Sequence, residues 1–277
     1  MSIVKRPLII TLIFAFLLTQ SNTPVRASEL APSSRSAILI EVSEQKVLYE
    51  KNADAILPMA STTKIMTALT ALEYFSPSEM MTVPPEAVGT EGTSASLEAG
   101  EVYSLHDLLV ALMLQSANDA AVTIAVNAAG SIDNFAVLMN RTAQKMGLKS
   151  TNFKNPHGLP HDEHYTTARE LAIIASHALS IDTLAEIVST KTAKITSHDG
   201  KIRCFRNHNK MLSIYKDANG VKTGYTKASG RCLVSSATRD GITLIAVTLN
   251  SHNDWNEHTI MLNYGFSIYP TGNNINN

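Results

Sequence analysis

Strand-like segments lie at the two ends of this 277-residue chain, and helix-like segments fill its middle. A sheet drawn from sequence-distant ends must carry the stretch between them as an insert. Near the N-terminus, Ser36 to Val42 has strand character, Glu44-Gln45 turns, and Lys46 to Lys51 returns. Lys191 to Ile195 and Lys201 to Phe205 flank an Asp199-Gly200 turn. Val221 leads into Lys222-Thr223-Gly224, Cys232 to Thr238 and Ile242 to Leu249 form an apolar hairpin, and Asn253 to Phe266 reads as a helix. The expected fold class is α/β (α+β): an antiparallel sheet built from both chain ends, flanked by helices, with a mainly helical inserted lobe over about residues 62–190.

Within that lobe the apolar residues Ile65, Met66, Leu69 and Leu72 share one side of a helix from Thr62 to Tyr74. Residues 76 to 103 are polar and loop-like. Ser104 reads as an N-cap, with Asp107 three residues on and a helix through Leu114. One helix follows Asn118 and stops near Gly130, and another runs from Ile132 to Met146 and ends at Gly147. Asn155 to His164 reads as a solvated Pro/His/Gly loop. Thr167 and Glu170 are expected to form a capping box for a helix to about Leu179.

The first 27 residues read as an export signal. Lys5 and Arg6 precede an apolar run from Leu8 to Leu18, and Val25-Arg26-Ala27 offers a small-residue cleavage site before Ser28. The run is short for a membrane span. Residues 28–277 are expected to form a single catalytic domain, exported and working outside the cytoplasm. Removing Lys5, Arg6 and Arg26 from 23 basic residues leaves 20 against 24 acidic ones. That balance argues against a nucleic-acid partner and against a polybasic membrane anchor. The uncharged tail Thr271 to Asn277 holds no amphipathic stretch, so no C-terminal membrane anchor is expected. Cys204 borders a polar loop and Cys232 sits in an apolar run, which reads as two independent thiols.

Three short words occur in fixed order: Ser61-Thr62-Thr63-Lys64, Ser116-Ala117-Asn118 and Lys222-Thr223-Gly224. Each is weak alone. Together they supply a nucleophile, a base beside it, a proton relay and an anion clamp. Ser61 begins a helix, where N–H groups favour developing negative charge, and Lys64 returns to its face one turn later. A serine hydroxyl needs a neighbour to take its proton, and a lysine can do so only with a lowered pKa. Lys222 nearby and partial burial are expected to lower it. Ser116 can pass a proton to a leaving amine, and Asn118 can hold a substrate amide. Lys222 and Thr223 can bind a carboxylate by charge-assisted hydrogen bonds. Gly224 would let a substrate backbone approach closely.

The words and their flanks resemble the serine-type D-Ala-D-Ala carboxypeptidases, low-molecular-mass penicillin-binding proteins of the β-lactamase/transpeptidase-like family. Met59 to Ala68, Gln115 to Ala121, Asn155 to Leu159, Thr166 to Leu171, Gly220 to Thr226 and Cys232 to Ala237 carry the likeness. The resemblance implies that Ser61 forms the acyl-enzyme, Lys64 is the base and Ser116 relays the proton. It implies that Lys222 and Thr223 bind the substrate's terminal carboxylate and that the backbone N–H groups of Ser61 and Tyr225 form an oxyanion hole. The implied partner is a peptidoglycan stem peptide ending in D-Ala-D-Ala, with β-lactams as inhibitors and no cofactor or metal. One departure concerns Asn207 to Leu212, where some relatives place an arginine near the carboxylate and this chain has His208.

Three rival readings stand beside it. A class A β-lactamase would need a glutamate to activate the deacylating water, and Glu163 and Glu170 lie in the right stretch. Slow release of bound penicillin would separate the two. A metal-dependent peptidase could draw on His157, His161, Asp162, Glu163 and His164, although no His-Glu-x-x-His helix is present. A penicillin-sensing or wall-binding module would keep the words without turnover.

Overall fold

The computed structural model describes residues 30–269. The export-signal reading of residues 1–27 and the reading of the Asn-rich tail therefore fall outside the described residues. The central sheet has five antiparallel strands in the order β2-β1-β9-β8-β7. They are β1 Ser36–Glu41, β2 Lys46–Lys51, β7 Ala218–Thr226, β8 Gly230–Arg239 and β9 Ile242–Ser251. The two chain ends meet where Ser36 to Glu41 pairs with Leu249 to Leu244. β1 is buried on both faces, and its central residues Ala37 to Ile40 are apolar on both sides of the alternation. Ala37 and Leu39 face one core, while Ile38 and Ile40 face the other.

The helix α8 (Asp254–Ile268) covers the first face through Met261, Leu262 and Phe266. The second face carries α5 (Ala168–Leu179) and α6 (Asp182–Ser189). Behind them lie α1 (Lys64–Tyr74), α2 (Leu105–Val110), α3 (Asn118–Ala129) and α4 (Ile132–Lys145). One continuous apolar core joins that sheet face to the helical lobe. The expected order of strands, helices and strands is therefore the observed one.

Four details differ from the sequence reading. The stretch 76–103, expected as loop, contains a two-stranded sheet of β3 (Met80–Thr82) and β4 (Val102–Ser104). Its strands are three residues long, too short for an alternation to show. The helix α6 was not expected; its N-cap is Ile181, which makes no side-chain cap, so no capping signal announces it. The four-residue helix α7 (Met211–Ile214) was likewise not foreseen. Finally, only half of the Thr167–Glu170 capping box forms. Thr167 Oγ1 accepts from the Glu170 N–H at 3.1 Å, but the Glu170 carboxylate accepts instead from the N–H of Lys149 at 2.7 Å and Thr151 Oγ1 at 2.5 Å.

The β5–β6 hairpin (Thr192–Thr196 and Ile202–Arg206) is a separate two-stranded sheet, one residue out of the expected bounds. Cys204 is exposed on it and Cys232 is buried in β8, and both are free thiols. Among the described residues no single helix is long and apolar enough to cross a membrane.

Candidate active site

Ser61 sits in a 3-10 turn, Ala60–Thr63, that runs directly into α1. The turn is tightened by two hydroxyls that donate backwards. Thr62 Oγ1 bonds the Met59 carbonyl at 2.6 Å, and Thr63 Oγ1 bonds the Ala60 carbonyl at 2.7 Å. Ala60 has φ +48°, a left-handed conformation that costs a non-glycine residue roughly 1–3 kcal/mol and persists only where its surroundings impose it. The half-buried Ser61 opens onto a cleft of about 470 Å³, also lined by Thr93, Ser116, His208, Thr223 and Tyr225.

Lys64 is completely buried. Its Nζ donates to Asn118 Oδ1 and to the His157 carbonyl, both at 2.7 Å, and lies 3.1 Å from Ser61 Oγ. Burial holds the amine well below the usual lysine range, with the charge of Lys222 as the second cause and Asp119 opposing. Partial burial and Lys222 were expected as joint causes; the burial is complete and is the larger of the two. A neutral amine has two hydrogens and one lone pair. Two of its three neighbours are pure acceptors at these positions, because the Asn118 Nδ2 donates to the Glu91 carbonyl at 2.5 Å and so turns Oδ1 toward Lys64. The lone pair is left for Ser61 Oγ–H.

The second word sits at a break in the helical lobe. After α2 the chain forms a π-helical turn over Ala111–Gln115, and Ser116 caps it with φ 63°. This wide turn swings the buried Ser116 into the cleft before α3 starts at Asn118. Asn118 is buried too, and its amide links Lys64 to the Glu91–Thr93 loop. The next residue, Asp119, was not foreseen as a site residue. Its carboxylate accepts from the N–H groups of Ala95 and Leu97 at 3.0 Å and from Ser94 Oγ at 2.6 Å, which fixes the loop that carries Thr93.

The third word lies on β7, the edge strand nearest Ser61. A Cβ at Gly224 would stand 3.0 Å from Ser61 N and 3.1 Å from the Met59 carbonyl oxygen. The protein's own backbone thus makes a close approach at this glycine. Lys222 is buried, donates to the Thr223 carbonyl at 3.1 Å, and has its pKa pushed down to about 7 by burial. Thr223 and Tyr225 line the cleft, and Tyr225 is exposed. Ser61, Ser116, Thr223 and Tyr225 thus line one cleft, with Lys64 and Asn118 bonded in sequence behind Ser61 and Lys222 buried beside Thr223.

The loop from Asn155 to His164, read as solvated, is half buried. Asn155, Pro156, His157, Gly158 and His164 are inside, and His161, Asp162 and Glu163 are outside. The buried half docks on the nucleophile helix: Thr67 Oγ1 donates to the Pro156 carbonyl at 2.6 Å, beside the Lys64–His157 bond. Among the described residues no three His, Cys, Asp or Glu side chains gather as a metal-ion site. His157 Nδ1 accepts from Leu159 N–H, and burial lowers the His157 pKa to about 3. Glu163 pairs with Lys154 at 3.3 Å, and Glu170 is held by the 149–151 turn; neither lines the cleft of Ser61. A further rim was not foreseen: Arg231 pairs with buried Asp254 at 2.6 Å and lies over the Trp255 ring. Arg231 lies 23 residues before Asp254, and no motif announces the pairing.

Fold and site together define a serine D,D-peptidase of the penicillin-binding, β-lactamase/transpeptidase type. The chain belongs to the D-alanyl-D-alanine carboxypeptidase family, whose model matches residues 23–253. It is 35% identical over 254 residues to D-alanyl-D-alanine carboxypeptidase DacF of Bacillus subtilis, a match that covers 89% of this chain and 65% of that one. It is 34% identical to D-alanyl-D-alanine carboxypeptidase DacC of Escherichia coli, covering 93% of this chain and 68% of that one. The chain thus spans about two thirds of these two relatives. Among solved structures, the DD-transpeptidase of Streptomyces K15 superimposes with a TM-score of 0.79 at 32% identity, over 85% of this chain and 97% of that one.

Proposed function

We propose that this chain is a serine-type D-Ala-D-Ala carboxypeptidase that removes the terminal D-alanine from peptidoglycan stem peptides through a Ser61 acyl-enzyme. β-Lactams acylate the same serine. The carrying observation is the Lys64 amine, buried, depressed in pKa and left with its lone pair toward Ser61 Oγ. Ser61 Oγ attacks the carbonyl of the penultimate D-alanine as Lys64 takes its proton. The N–H groups of Ser61 and Tyr225 hold the oxyanion, each such donor being worth about 2.7–4 kcal/mol in the barrier. Ser116 passes a proton to the leaving amine, free D-alanine departs, and water hydrolyses the ester. Asn118 orients Lys64 and keeps one Nδ2 hydrogen for the substrate amide. Lys222 and Thr223 bind the terminal carboxylate. The basic and then apolar N-terminus supports export, with the substrate met outside the cytoplasm.

Intact-protein mass spectrometry after incubation with penicillin tests this reading, with peptide mapping of the adduct. One adduct on Ser61 is expected, and Ser61→Ala should abolish both the adduct and release of D-alanine from a D-Ala-D-Ala peptide. A stable adduct on any other residue would sink the assignment.

The pH dependence follows from Lys222. Its pKa of about 7 leaves it charged below neutrality and neutral above. A carboxylate needs the charged form, so kcat/KM for a peptide should fall up to tenfold per pH unit above about pH 7, since kcat/KM reports the free enzyme. Lys222→Arg stays charged and should lose that alkaline limb while starting from a lower plateau. An unchanged limb in the arginine variant would remove Lys222 from carboxylate binding.

A further inference from the structure

We infer that His164 is a positioning residue for the nucleophile: its ring holds Thr63, and through Thr63 the Ala60 carbonyl, so that the left-handed turn before Ser61 keeps its aim. The inference rests on the acyl-enzyme reading above and concerns a residue outside its reacting groups.

The tautomer follows from the bonds. Lys154 N–H donates to His164 Nδ1 at 3.0 Å, so that nitrogen carries no hydrogen. Neutral imidazole then has its hydrogen on Nε2. His164 Nε2 lies 2.7 Å from Thr63 Oγ1, whose own hydrogen goes to the Ala60 carbonyl at 2.7 Å. The direction is therefore single: Lys154 N–H to His164, His164 N–H to Thr63, Thr63 O–H to Ala60 C=O. His164 and Thr63 are both buried, and Phe153 meets the imidazole edge-on with centroids 5.8 Å apart. Burial keeps the imidazole neutral, with its pKa lowered to about 4.

Ala60 is the residue whose geometry this relay fixes. Its φ of +48° is one an alanine leaves unless held. Its carbonyl points at Gly158, which has no Cβ to push it away. Rotation of the 60–61 peptide would move the Ser61 N–H, one of the two proposed oxyanion donors, and tilt Oγ away from Lys64. Such a small displacement costs rate rather than binding, because the donors must meet the oxyanion and not the ground state.

The test measures acylation by penicillin in stopped flow, separating the saturation constant from the limiting acylation rate. His164→Ala and Thr63→Val should lower the limiting rate roughly 10–50-fold and change the saturation constant less than about threefold, since the residues touch no substrate. His164→Gln keeps an N–H for Thr63, and Thr63→Ser keeps the hydroxyl; both should return to within about threefold of wild type. Should His164→Ala fail to fold, the Thr63→Val and Thr63→Ser pair decides alone. A wild-type rate in His164→Ala or Thr63→Val overturns the inference. So does failure of both conservative variants to recover, which marks a merely structural role. Wild-type protein run alongside separates the two claims: no Ser61 adduct there overturns the acyl-enzyme reading, and the inference with it.

Discussion

Lys64→Met is expected to slow acylation of Ser61 by penicillin by roughly 10²–10⁴-fold, the range in which a positioned general base acts. Methionine matches the length of the lysine stem in a site that is completely buried. It removes the amine and leaves Asn118 Oδ1 and the His157 carbonyl without a donor, an orphaning that costs about 1–3 kcal/mol each. Against that stands relief from burying an amine whose pKa is held far below its ordinary value. The two effects oppose each other, so the melting temperature should stay within a few degrees of wild type while activity collapses. Lys64→Arg separates charge from basicity. Its guanidinium cannot accept a proton near neutral pH, so acylation should fall as far. It also places an obligatory charge where none is solvated, so this variant should melt lower than Lys64→Met. Retained acylation in either variant would assign the base elsewhere.

Parts of this outcome were legible in the residues and parts were not. The β1–β2 hairpin, α2 with its Ser104 cap, and the paired strands β8 and β9 announce themselves through local rules: alternation, capping and turn residues. The site is legible where its chemistry needs fixed residue types at fixed spacing, as Ser61 and Lys64 do one turn apart. It is illegible where a residue works through tertiary contact alone. Asn155 to His164 has the composition of a solvated loop, yet its buried half lies against Thr63, Lys64 and Thr67 of the nucleophile helix. No local pattern encodes which face of a loop meets which helix. Asp119 escaped for the same reason: four of the five bonds its carboxylate accepts come from a loop more than twenty residues earlier. Gly224 was correctly singled out as a point of close approach, but only the packed sheet says that the approaching backbone is that of Met59 to Ser61.

Gly158→Ala should be the most damaging glycine-to-alanine change among the described residues. Gly158 has φ +87°, and a Cβ there would lie 2.0 Å from the Ala60 carbonyl oxygen and 2.9 Å from Thr63 Oγ1. Neither neighbour is a flexible side-chain end. One is backbone of the turn before Ser61, and the other is tied to both Ala60 and His164. The loop can make room only by lifting off α1, which would break the Lys64–His157 and Thr67–Pro156 bonds with it. A loss of roughly 3–5 kcal/mol is expected, at the large end for one substitution, because overpacking and the breaking of a buried network add here. In a domain of this size that is roughly a 10–15 °C fall in melting temperature. Gly130 and Gly147 supply the control. Both have φ +76° with open space where a Cβ would go, so alanine there carries only the left-handed strain, roughly 1–2 kcal/mol. The difference between these controls and Gly158→Ala isolates the contact from the dihedral. Thermal melts of the three variants, with penicillin acylation rates beside them, should place Gly158→Ala alone in losing both stability and acylation. If Gly158→Ala melts with the controls and acylates like wild type, the loop does not brace the nucleophile turn.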